Sequence, residues 1–453
     1  MHIVIVGDGK VGYMLAEQLC IEGHDIAVID NRSTSLTNSE NSQDVICIEG
    51  NGASHKVQIE AGVPRADLLI AVTNADEVNM LCCMVAKKLG AKHTIARVRD
   101  PEYQEQMVFL KEELGLSLTI NPEYAAASEI SRMLRFSSAA KAESFAKGRV
   151  EVVEFNVREG GLLPGLALHD MYRQLHVRVL VCAVQRQDEV FIPDGSCVLQ
   201  AGDKISIVAA PHDINAFFKA AGADPRRIKN VMIVGGGRIS YYLANMLVDS
   251  GMHVKIIEQS EARCHLLSEW LPKASILHGD GTDQDLLHEE GLQGTDAFIA
   301  LTGIDEENII LSMYANSCKV EKVITKVNNA RFIDMLGNSG LESFISPKQI
   351  TSHRILSYVR AMQNATGSNV ETLYRLVDDT VEALEFHVRE DARCIGVPLK
   401  DLKLKPQFLL GAIIRKGKCI IPGGGDSLEL GDSVVVVTTQ RGLRDLNSIL
   451  KDA

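Results

Sequence analysis

The chain has 453 residues, enough for three or four domains of ordinary size. Its composition, 46% hydrophobic and 23% charged residues, is typical of a globular protein. The formal net charge of −12 argues against binding to nucleic acid and against docking on an anionic membrane by charge alone. The apolar runs are only strand-length and Met1 leads directly into a strand, so we expect neither a membrane-spanning helix nor a signal peptide.

Short apolar strands alternate with helices in the first part of the chain. Ile3–Val6 predicts a buried strand, and Val11–Ile21 predicts a helix that ends near Gly23. A second helix is predicted over 77–89. The remaining predicted strands are Ile26–Ile29, Val45–Ile48, Leu68–Val72 and Thr94–Val98. Strands alternating with helices predict an α/β fold with a doubly wound, Rossmann-like parallel sheet.

The pattern changes near residues 135–150, where a small α+β module begins. Glu151–Val157 alternates like an exposed strand, and a short helix is predicted around 166–174. Further antiparallel strands are predicted at Val177–Val184, Val190–Ile192 and Lys204–Val208. The period of two predicts one face that is packed and one that is exposed or paired with another chain.

Both parts then occur a second time, after a polar linker at 222–230. Gly235 lies 228 positions after Gly7, and Gly431-Asp432 lies 229 positions after Gly202-Asp203. We therefore predict a tandem duplication of a two-part unit, with domains at 1–138, 139–224, 228–365 and 366–453. The second set of strands is Met232–Val234, Val254–Ile257, Ser275–Leu277, Ala297–Leu301 and Val323–Val327, then Val381–Val388, Leu409–Ile414, Cys419–Ile421 and Ser433–Thr438.

A glycine motif lies between the first predicted strand and helix, and it reads Gly7-Asp8-Gly9-Lys10-Val11-Gly12. Its glycines permit a tight turn, close approach of a pyrophosphate and close helix–strand contact, and the helix N-terminus attracts phosphate. Asp30, with Asn31 and Arg32 beside it, ends the second strand, where a carboxylate accepts hydrogen bonds from a ribose diol and repels a 2′-phosphate. The motif predicts NAD(H) rather than NADP(H); a glycine turn that only packs a helix on a sheet is the alternative.

The second copy of the motif is degenerate and reads Gly235-Gly236-Gly237-Arg238-Ile239-Ser240. Ser240 replaces the third glycine, and Glu258 supplies the acidic residue 18 positions later. Arg238 corresponds to Lys10 and offers a cation to a phosphate, so this copy predicts NAD(H) or ATP/ADP. A solvated arginine is the alternative.

Ligands of such sheets bind beyond the carboxyl ends of the strands. This rule adds two groups of candidate ligand-binding residues. For each residue, the alternative is a structural role in a turn or a helix cap. The first group is Asn51, Gly52, Thr73, Asn74 and Arg97; the second is Asp280, Gly281, Thr302 and Lys326.

Taken together, these motifs resemble the RCK (KTN) family of regulators of potassium conductance, and within it the TrkA-type peripheral subunits of Trk potassium-uptake systems. The resemblance covers nearly the whole chain. The matching segments are Ile5–Gly12, Val28–Asp30, Glu49–Ala53, Ala71–Met80, Ile95–Arg99, Gly279–Asp283 and Ala300–Asn308.

The resemblance implies a cytosolic gating subunit, peripheral on the inner face of the membrane through a TrkH-like potassium channel or transporter. It implies a homo-oligomer, with four chains completing a ring of eight units, and NAD(H) or adenine nucleotides as ligands. Some relatives bind cyclic di-AMP in their C-terminal lobes, but no motif of this chain supports that ligand. We also predict a subunit contact on the helices around 102–135, with core packing as the alternative. The apolar residues there are Met107, Leu110, Leu114, Ile130, Met133 and Leu134, with Phe136 just beyond.

Two other functions stay open at this point. An NAD-dependent oxidoreductase needs a catalytic acid, base or metal facing the nicotinamide. His169 and His387 are isolated, no nucleophile–base pair stands out, and ten scattered cysteines without a C-x-x-C pair predict reduced thiols and no metal site. We therefore expect no enzyme. The second alternative is a free-standing nucleotide sensor without a pore partner.

Overall fold

The computed structural model describes residues 1–42, 44–135, 141–187, 189–222, 228–329, 332, 336, 340–341, 343–365, 370–376, 380–440, 443 and 445–451. Over these ranges each half of the chain forms one six-stranded sheet and one five-stranded sheet. The α/β class and the duplication of a two-part unit are therefore confirmed.

The first six-stranded sheet has the order β3-β2-β1-β4-β5-β6, and neighbouring strands in it are parallel. Its sixth strand was not predicted, because three residues are too few to show a period. The strands are β1 (His2–Val6), β2 (Asp25–Asp30), β3 (Ile46–Glu49), β4 (Leu68–Ala71), β5 (His93–Arg97) and β6 (Leu118–Ile120). The helices are α1 (Lys10–Ile21), α2 (Ser33–Ser42), α3 (His55–Glu60), α4 (Asp76–Leu89), α5 (Pro101–Glu105), α6 (Met107–Glu113) and α7 (Pro122–Arg135).

Apolar strands buried on both faces hold this sheet at the centre of the fold. Ile3, Val4 and Ile5 have no exposed surface, as expected for a parallel sheet covered by helices on both sides. In the parallel register Val6 lies beside both Ile29 and Ala71. The loops that follow β1, β2 and β4 therefore leave the sheet at one edge, which brings their motifs together.

The second six-stranded sheet repeats the order, as β14-β13-β12-β15-β16-β17. It is built from the same kind of short, buried aliphatic strands. These are β12 (Asn230–Val234), β13 (His253–Glu258), β14 (Ser275–His278), β15 (Ala297–Ala300), β16 (Lys322–Lys326) and β17 (Ser343–Ile345). The helices are α10 (Arg238–Asp249), α11 (Glu261–Trp270), α12 (Gln284–Glu289), α13 (Asp305–Ser317) and α14 (Pro347–Ala365).

The two small modules are five-stranded sheets, each with one strand more than predicted at its edge. The first has the order β10-β9-β11-β8-β7 and the second β18-β19-β22-β20-β21. The strands are β7 (Lys141–Phe145), β8 (Val150–Asn156), β9 (Leu180–Arg186), β10 (Glu189–Phe191), β11 (Lys204–Ala209), β18 (Val370–Leu376), β19 (Val381–His387), β20 (Phe408–Arg415), β21 (Lys418–Ile420) and β22 (Ser433–Thr438). The first module also contains α8 (Met171–Leu175) and α9 (Pro211–Ala220).

The prediction that β8 is an exposed strand is wrong, because both of its faces are buried. Val153 and Phe155 pack in the module's own core, next to Phe217 of α9. Val150 and Val152 lie in a second apolar cluster, which also contains residues of the other small sheet such as Val435. The second face is therefore covered by the sister module of the same chain. Alternation within one strand cannot distinguish a solvated face from one covered by a distant segment.

The Gly-Asp pair that both small modules share has a structural reason. Asp203 is 1% exposed, and both of its carboxylate oxygens accept hydrogen bonds from the Arg186 guanidinium, at 2.9 and 2.8 Å. Asp432 accepts from Arg415 in the same way, at 3.0 and 2.8 Å. Each aspartate–arginine pair fixes the turn before the last strand of its module.

The chain divides into two compact units. One consists of residues 1–128, 237–243 and 345–356, and the other of residues 129–236, 244–344 and 357–453. The first unit contains the first parallel sheet, and the second contains both small sheets. Among the described residues no helix is long and apolar enough to cross a bilayer, and all ten cysteines are free thiols.

Breaking the Arg186–Asp203 pair is expected to destabilise the first small module. Burial would raise the pKa of Asp203, but hydrogen bonds from Arg186 and from the Gln200 backbone, with the charge of Arg186, outweigh burial and lower it. Asp203→Ala leaves the partly buried Arg186 guanidinium without its carboxylate partner. We therefore expect the unfolding free energy at neutral pH to fall by about 2 kcal/mol, measured by chemical denaturation.

The pH dependence of this effect follows from the lowered pKa. The stabilisation is present above the ordinary pKa of 3.8 and is lost as the pH falls through the lower value of the folded state. The difference between the variant and the unaltered chain should therefore shrink in acid. Asp194→Ala, at an exposed turn of the same module, is the control; an equal loss there would contradict the assignment.

Candidate functional site

A cleft of about 390 Å³ opens at the carboxyl edge of the first parallel sheet. We call it the first cleft. It is formed by the loops after β1, β2, β3 and β4, as the strand register requires. Its lining residues are Val6, Gly7, Gly9, Ile29, Asp30, Asn31, Arg32, Gly50, Asn51, Gly52, Val72, Thr73, Asn74, Ala75 and Val78.

The Asp30 carboxylate joins two of these loops. Its Oδ2 accepts the backbone N–H of Asp8 at 2.7 Å, and its Oδ1 accepts the backbone N–H of Arg32 at 2.9 Å. The Arg32 side chain is 59% exposed and approaches Oδ1 at 3.5 Å. A carboxylate has about four lone-pair positions, so Asp30 retains capacity to accept hydrogen bonds from a ligand.

Asp8 belongs to the glycine turn, but its carboxylate is buried and does not line the first cleft. The Ser39 hydroxyl donates to its Oδ2 at 2.7 Å, whereas Oδ1 has no partner among the described atoms. Burial raises the pKa of Asp8, the charge of Asp30 raises it further, and the bond from Ser39 opposes both. The residue positions α2 against the turn, so it holds the site together from behind.

Three glycines of this site have a structural reason, two because of close contacts and one because of its backbone conformation. A Cβ on Gly12 would lie 1.9 Å from the Gly7 carbonyl oxygen, and a Cβ on Gly52 would lie 2.1 Å from Val6 Cγ1. Gly7 has φ of +101°, a conformation that favours glycine. A Cβ on Gly9 would meet nothing within 4 Å, so this glycine leaves open space at the N-terminus of α1, where a phosphate can approach the backbone.

The Thr73–Asn74 wall of the first cleft is held by Asn79, which the sequence did not single out, and by the predicted site residue Arg97. Asn79 accepts hydrogen bonds from the Thr73 backbone and hydroxyl, at 2.8 and 2.7 Å, and donates to the Arg97 carbonyl at 2.9 Å. The Arg97 guanidinium donates to the Thr73 carbonyl and, at 3.3 Å, to Asn74 Oδ1. Burial lowers the pKa of Arg97 to about 10, so the side chain stays charged at neutral pH.

Nine of the predicted first-site residues therefore line the first cleft, and five do not. Val11 and Gly12 are buried where α1 contacts the sheet, and Lys10 is exposed in the first turn of α1. Asp8 and Arg97 support the cleft from behind. The motif therefore also contains residues that pack α1 on the sheet or support the cleft from behind.

Glu258 repeats the bridge made by Asp30. Its Oε2 accepts the backbone N–H of Gly236 at 2.6 Å, and its Oε1 accepts that of Ser260 at 2.7 Å. Gly236 takes the place of Asp8, and a Cβ there would lie 2.6 Å from Leu267 Cδ1. Arg263, which the sequence did not single out, donates from Nε to the Gly236 carbonyl at 2.9 Å.

The loops after β14 and β15 also repeat their first-half counterparts. A Cβ on Gly281 would lie 2.2 Å from Val234 Cγ1, as Gly52 lies against Val6. Asn308 accepts the Thr302 backbone N–H at 2.8 Å and donates to the Lys326 carbonyl at 3.1 Å, while the Lys326 ammonium donates to the Thr302 carbonyl. Asp280 accepts from the Thr282 backbone and hydroxyl, at 2.9 and 2.7 Å, which closes its turn.

The residues that complete the second motif lie in the first compact unit. Ile239 and Ser240 are buried, and Gly237 is exposed. The Arg238 guanidinium lies 3.8 Å from the carboxylate of Asp100, in the loop after β5. Its side chain is therefore ion-paired as well as partly solvated. Within the described residues no three His, Cys, Asp or Glu side chains converge on a possible metal position.

Replacing Gly12 by alanine is expected to reduce stability, whereas replacing Gly9 is expected to reduce nucleotide affinity. Gly12→Ala drives a Cβ into a carbonyl oxygen that cannot move aside, so we expect a loss of about 3 kcal/mol in stability, measured by thermal unfolding. Gly9→Ala should leave the melting temperature nearly unchanged and reduce the affinity for NADH, measured by nucleotide fluorescence. Equal stability of the two variants would contradict these roles.

Four segments match two domain families. The TrkA-N domain matches residues 3–122 and 231–347, and the TrkA-C domain matches residues 152–222 and 383–451. The chain is similar to the Trk system potassium uptake protein TrkA homolog of Archaeoglobus fulgidus, at 35% identity over 96% of this chain and 97% of that one. It is also 35% identical to the Trk system potassium uptake protein TrkA of Halomonas elongata, over 100% of this chain and 99% of that one.

Among solved structures, the fold is similar to that of the GsuK channel bound to NAD. The TM-score is 0.64 at 16% identity, over 96% of this chain and 76% of that one. The GsuK RCK domain matches with a TM-score of 0.63, also at 16% identity, over 96% of this chain and 92% of that one. With both domain families matched twice and relatives aligned over their full length, the chain belongs to the TrkA family of Trk-system potassium uptake proteins.

Proposed function

We propose that this chain is a nucleotide-sensing regulatory subunit that binds NAD(H) in the first cleft and gates a potassium uptake channel or transporter. The observation that carries the proposal is the buried Asp30, which lines the first cleft beside the glycine turn. Its carboxylate can accept the hydroxyls of a ribose, and its charge would repel the 2′-phosphate of NADP(H). The GsuK channel, which has a similar fold, binds NAD, and this supports the same ligand here.

For the second motif we propose an adenine nucleotide, NAD(H) or ATP/ADP. Glu258 is fixed by the same two backbone bonds as Asp30, which supports a ribose at this position. The cationic residues near this motif, Arg238 and Arg263, favour a ligand with more phosphate charge. Cyclic di-AMP has no support from the described contacts.

The partner that we propose is a TrkH-like membrane potassium channel or transporter, on whose cytoplasmic side the chain is peripheral. The names of the full-length relatives support a role in potassium uptake. A ligand can gate such a pore only through a difference in affinity between the open and closed states. Without a pore partner, the same two nucleotide motifs would make a free-standing sensor. The domain boundaries at 138, 224, 228 and 365 stay predictions.

A catalytic role has little support from the residues around the first cleft. Its lining contains no histidine, cysteine, tyrosine or lysine, and Asp30 is its one carboxylate. Asp30 already accepts two backbone N–H groups and joins two loops of the cleft. We therefore propose regulation without turnover, in contrast to an NAD-dependent oxidoreductase.

We propose that the chain forms a homo-oligomer, a tetramer, through apolar surfaces on α4 and α13. Leu81 and Met84 of α4 are exposed, and so are Ile310 and Met313 of α13, which occupy the same positions one repeat later. The predicted contact around 102–135 is a poorer candidate. Met107, Ile130, Met133 and Leu134 are buried inside the chain, and Phe136 lies outside the described residues.

Removing either acidic residue should weaken nucleotide binding at its own motif. Asp30→Ala removes two charged acceptors for a ribose, so we expect NADH to bind about 10- to 100-fold more weakly in calorimetric titration. Glu258→Ala should reduce the affinity for ATP or ADP. Asp25→Asn, at the exposed start of β2, and Glu261→Ala, in the first turn of α11, are the matched controls. Absence of binding of NAD⁺, NADH, ATP and ADP to the unaltered chain would falsify the proposed function.

Charged substitutions on the α4 and α13 surfaces should reduce assembly. Placing glutamate at Leu81 and Met84, or at Ile310 and Met313, buries charge in an apolar contact and should shift sedimentation toward smaller species. Lys88→Glu, at an exposed position of α4, is the control for the change of charge. If both double variants sediment like the unaltered chain, these surfaces do not build the oligomer.

A further inference from the structure

Tyr242 belongs to the second repeat but packs on loops of the first parallel sheet. It is 6% exposed. Its hydroxyl donates to the Arg99 carbonyl at 3.1 Å and accepts from Asn121 Nδ2 at 3.0 Å. The ring meets Tyr124 edge to face, with centroids 5.5 Å apart. Burial raises the pKa of Tyr242 to about 12, so the hydroxyl keeps its proton and donates at all physiological pH values.

One helical turn before Tyr242, Arg238 contacts the same loop. Its ion pair with Asp100 spans 3.8 Å, and the two side chains are 41% and 38% exposed. Such a pair contributes little to stability, because water and salt screen it. A phosphate offers a guanidinium a stronger, bidentate partner. The pair with Asp100 is therefore an exchangeable contact, unlike the buried hydrogen bonds of Tyr242.

The loop that both residues contact is bonded to the wall of the first cleft. The Arg99 backbone N–H donates to Asp76 Oδ2 at 2.7 Å, and its guanidinium donates to Asp76 Oδ1 at 3.3 Å and to the Asn74 carbonyl. Asn74 lines the first cleft. A continuous series of hydrogen bonds thus runs from Tyr242 through Arg99 to Asn74.

Arg238 is the fourth residue of the second glycine motif and begins α10. We infer that Arg238 and Tyr242 control the first cleft through the loop that they contact: a nucleotide phosphate that binds the Arg238 guanidinium draws it away from Asp100 and weakens NADH binding in the first cleft. The inference rests on the proposed function, because it requires a ligand at each motif. The two states are the loop held by Arg238 and the loop released. By linkage, NADH in the first cleft weakens the second ligand by the same factor.

The test is a titration of NADH into the full chain at increasing fixed concentrations of ATP. We expect the apparent Kd for NADH to rise and then level off at roughly fivefold, as coupling between separate sites requires. Asp100→Asn removes the charge that Arg238 leaves, and Tyr242→Phe removes the hydroxyl that ties α10 to the loop. Either change should lower the plateau toward no effect. Tyr172→Phe, which removes an exposed tyrosine hydroxyl in the first small module, should leave the plateau as it is.

The outcomes separate this inference from the function on which it rests. If NADH and ATP both bind but neither changes the affinity of the other, the coupling is wrong and the proposed function stands. An apparent Kd that rises without limit, and still rises in Glu258→Ala, means competition at one site and overturns the inference. A plateau that persists in both Asp100→Asn and Tyr242→Phe overturns it as well. If neither nucleotide binds, both proposals fail.

Discussion

Each nucleotide motif depends on one carboxylate that accepts two backbone N–H groups. Asp30 joins the turn after β1 to the loop after β2, and Glu258 does the same in the second half. Hydrogen bonds to a charged acceptor are about twice as strong as neutral ones. They fix the glycine turn to the loop after the next strand. The acid is therefore part of the scaffold as well as the proposed ligand contact, and the longer side chain of Glu258 accepts the same two backbone N–H groups as Asp30 does in the first half.

The two copies solve the same packing problem with different residue pairs. In the first, the buried Asp8 carboxylate is matched by the hydroxyl of Ser39. In the second, a Cβ on Gly236 would lie 2.6 Å from Leu267 Cδ1, so a side chain there would require Leu267 to move. An exchange of one residue alone would bury an unmatched carboxylate or create a clash. The asymmetry that appears in the motif as Ser240 for Gly12 thus extends to side chains outside the motif.

The duplication and the long strands could be predicted because their patterns are local. Alternating apolar strands and helices, repeated at a constant offset, identified both parallel sheets and the loops that form the first cleft. The outer strands β6, β7, β17 and β18 were missed; β6 and β17 have only three residues each, too few to show a period. The burial of β8 on both faces depends on a segment more than 200 residues away. No pattern within β8 contains that information.

The supporting residues of the site were missed for a related reason. Asn79 and Asn308 form hydrogen bonds with backbone atoms of the neighbouring loops, so neither belongs to a recognisable motif. Each nevertheless lies six positions after a predicted site residue, Thr73 or Thr302, and this shared spacing could have identified them. Tyr242 had no such signal, because its partners Arg99 and Asn121 belong to the other repeat. Comparing the two halves of a duplicated sequence identifies the residues that both halves share. Contacts that only one half makes can be identified only from the three-dimensional structure.

Because the two small sheets pack against each other within one chain, the two sides of this contact can evolve independently. In an assembly of identical single units, any substitution appears on both sides of each such contact. Here the two sides are encoded separately, so Val152 and Val435 can change one at a time. The contact can therefore accumulate compensating differences, and a polypeptide with two unlike halves is the expected product of long divergence after a duplication.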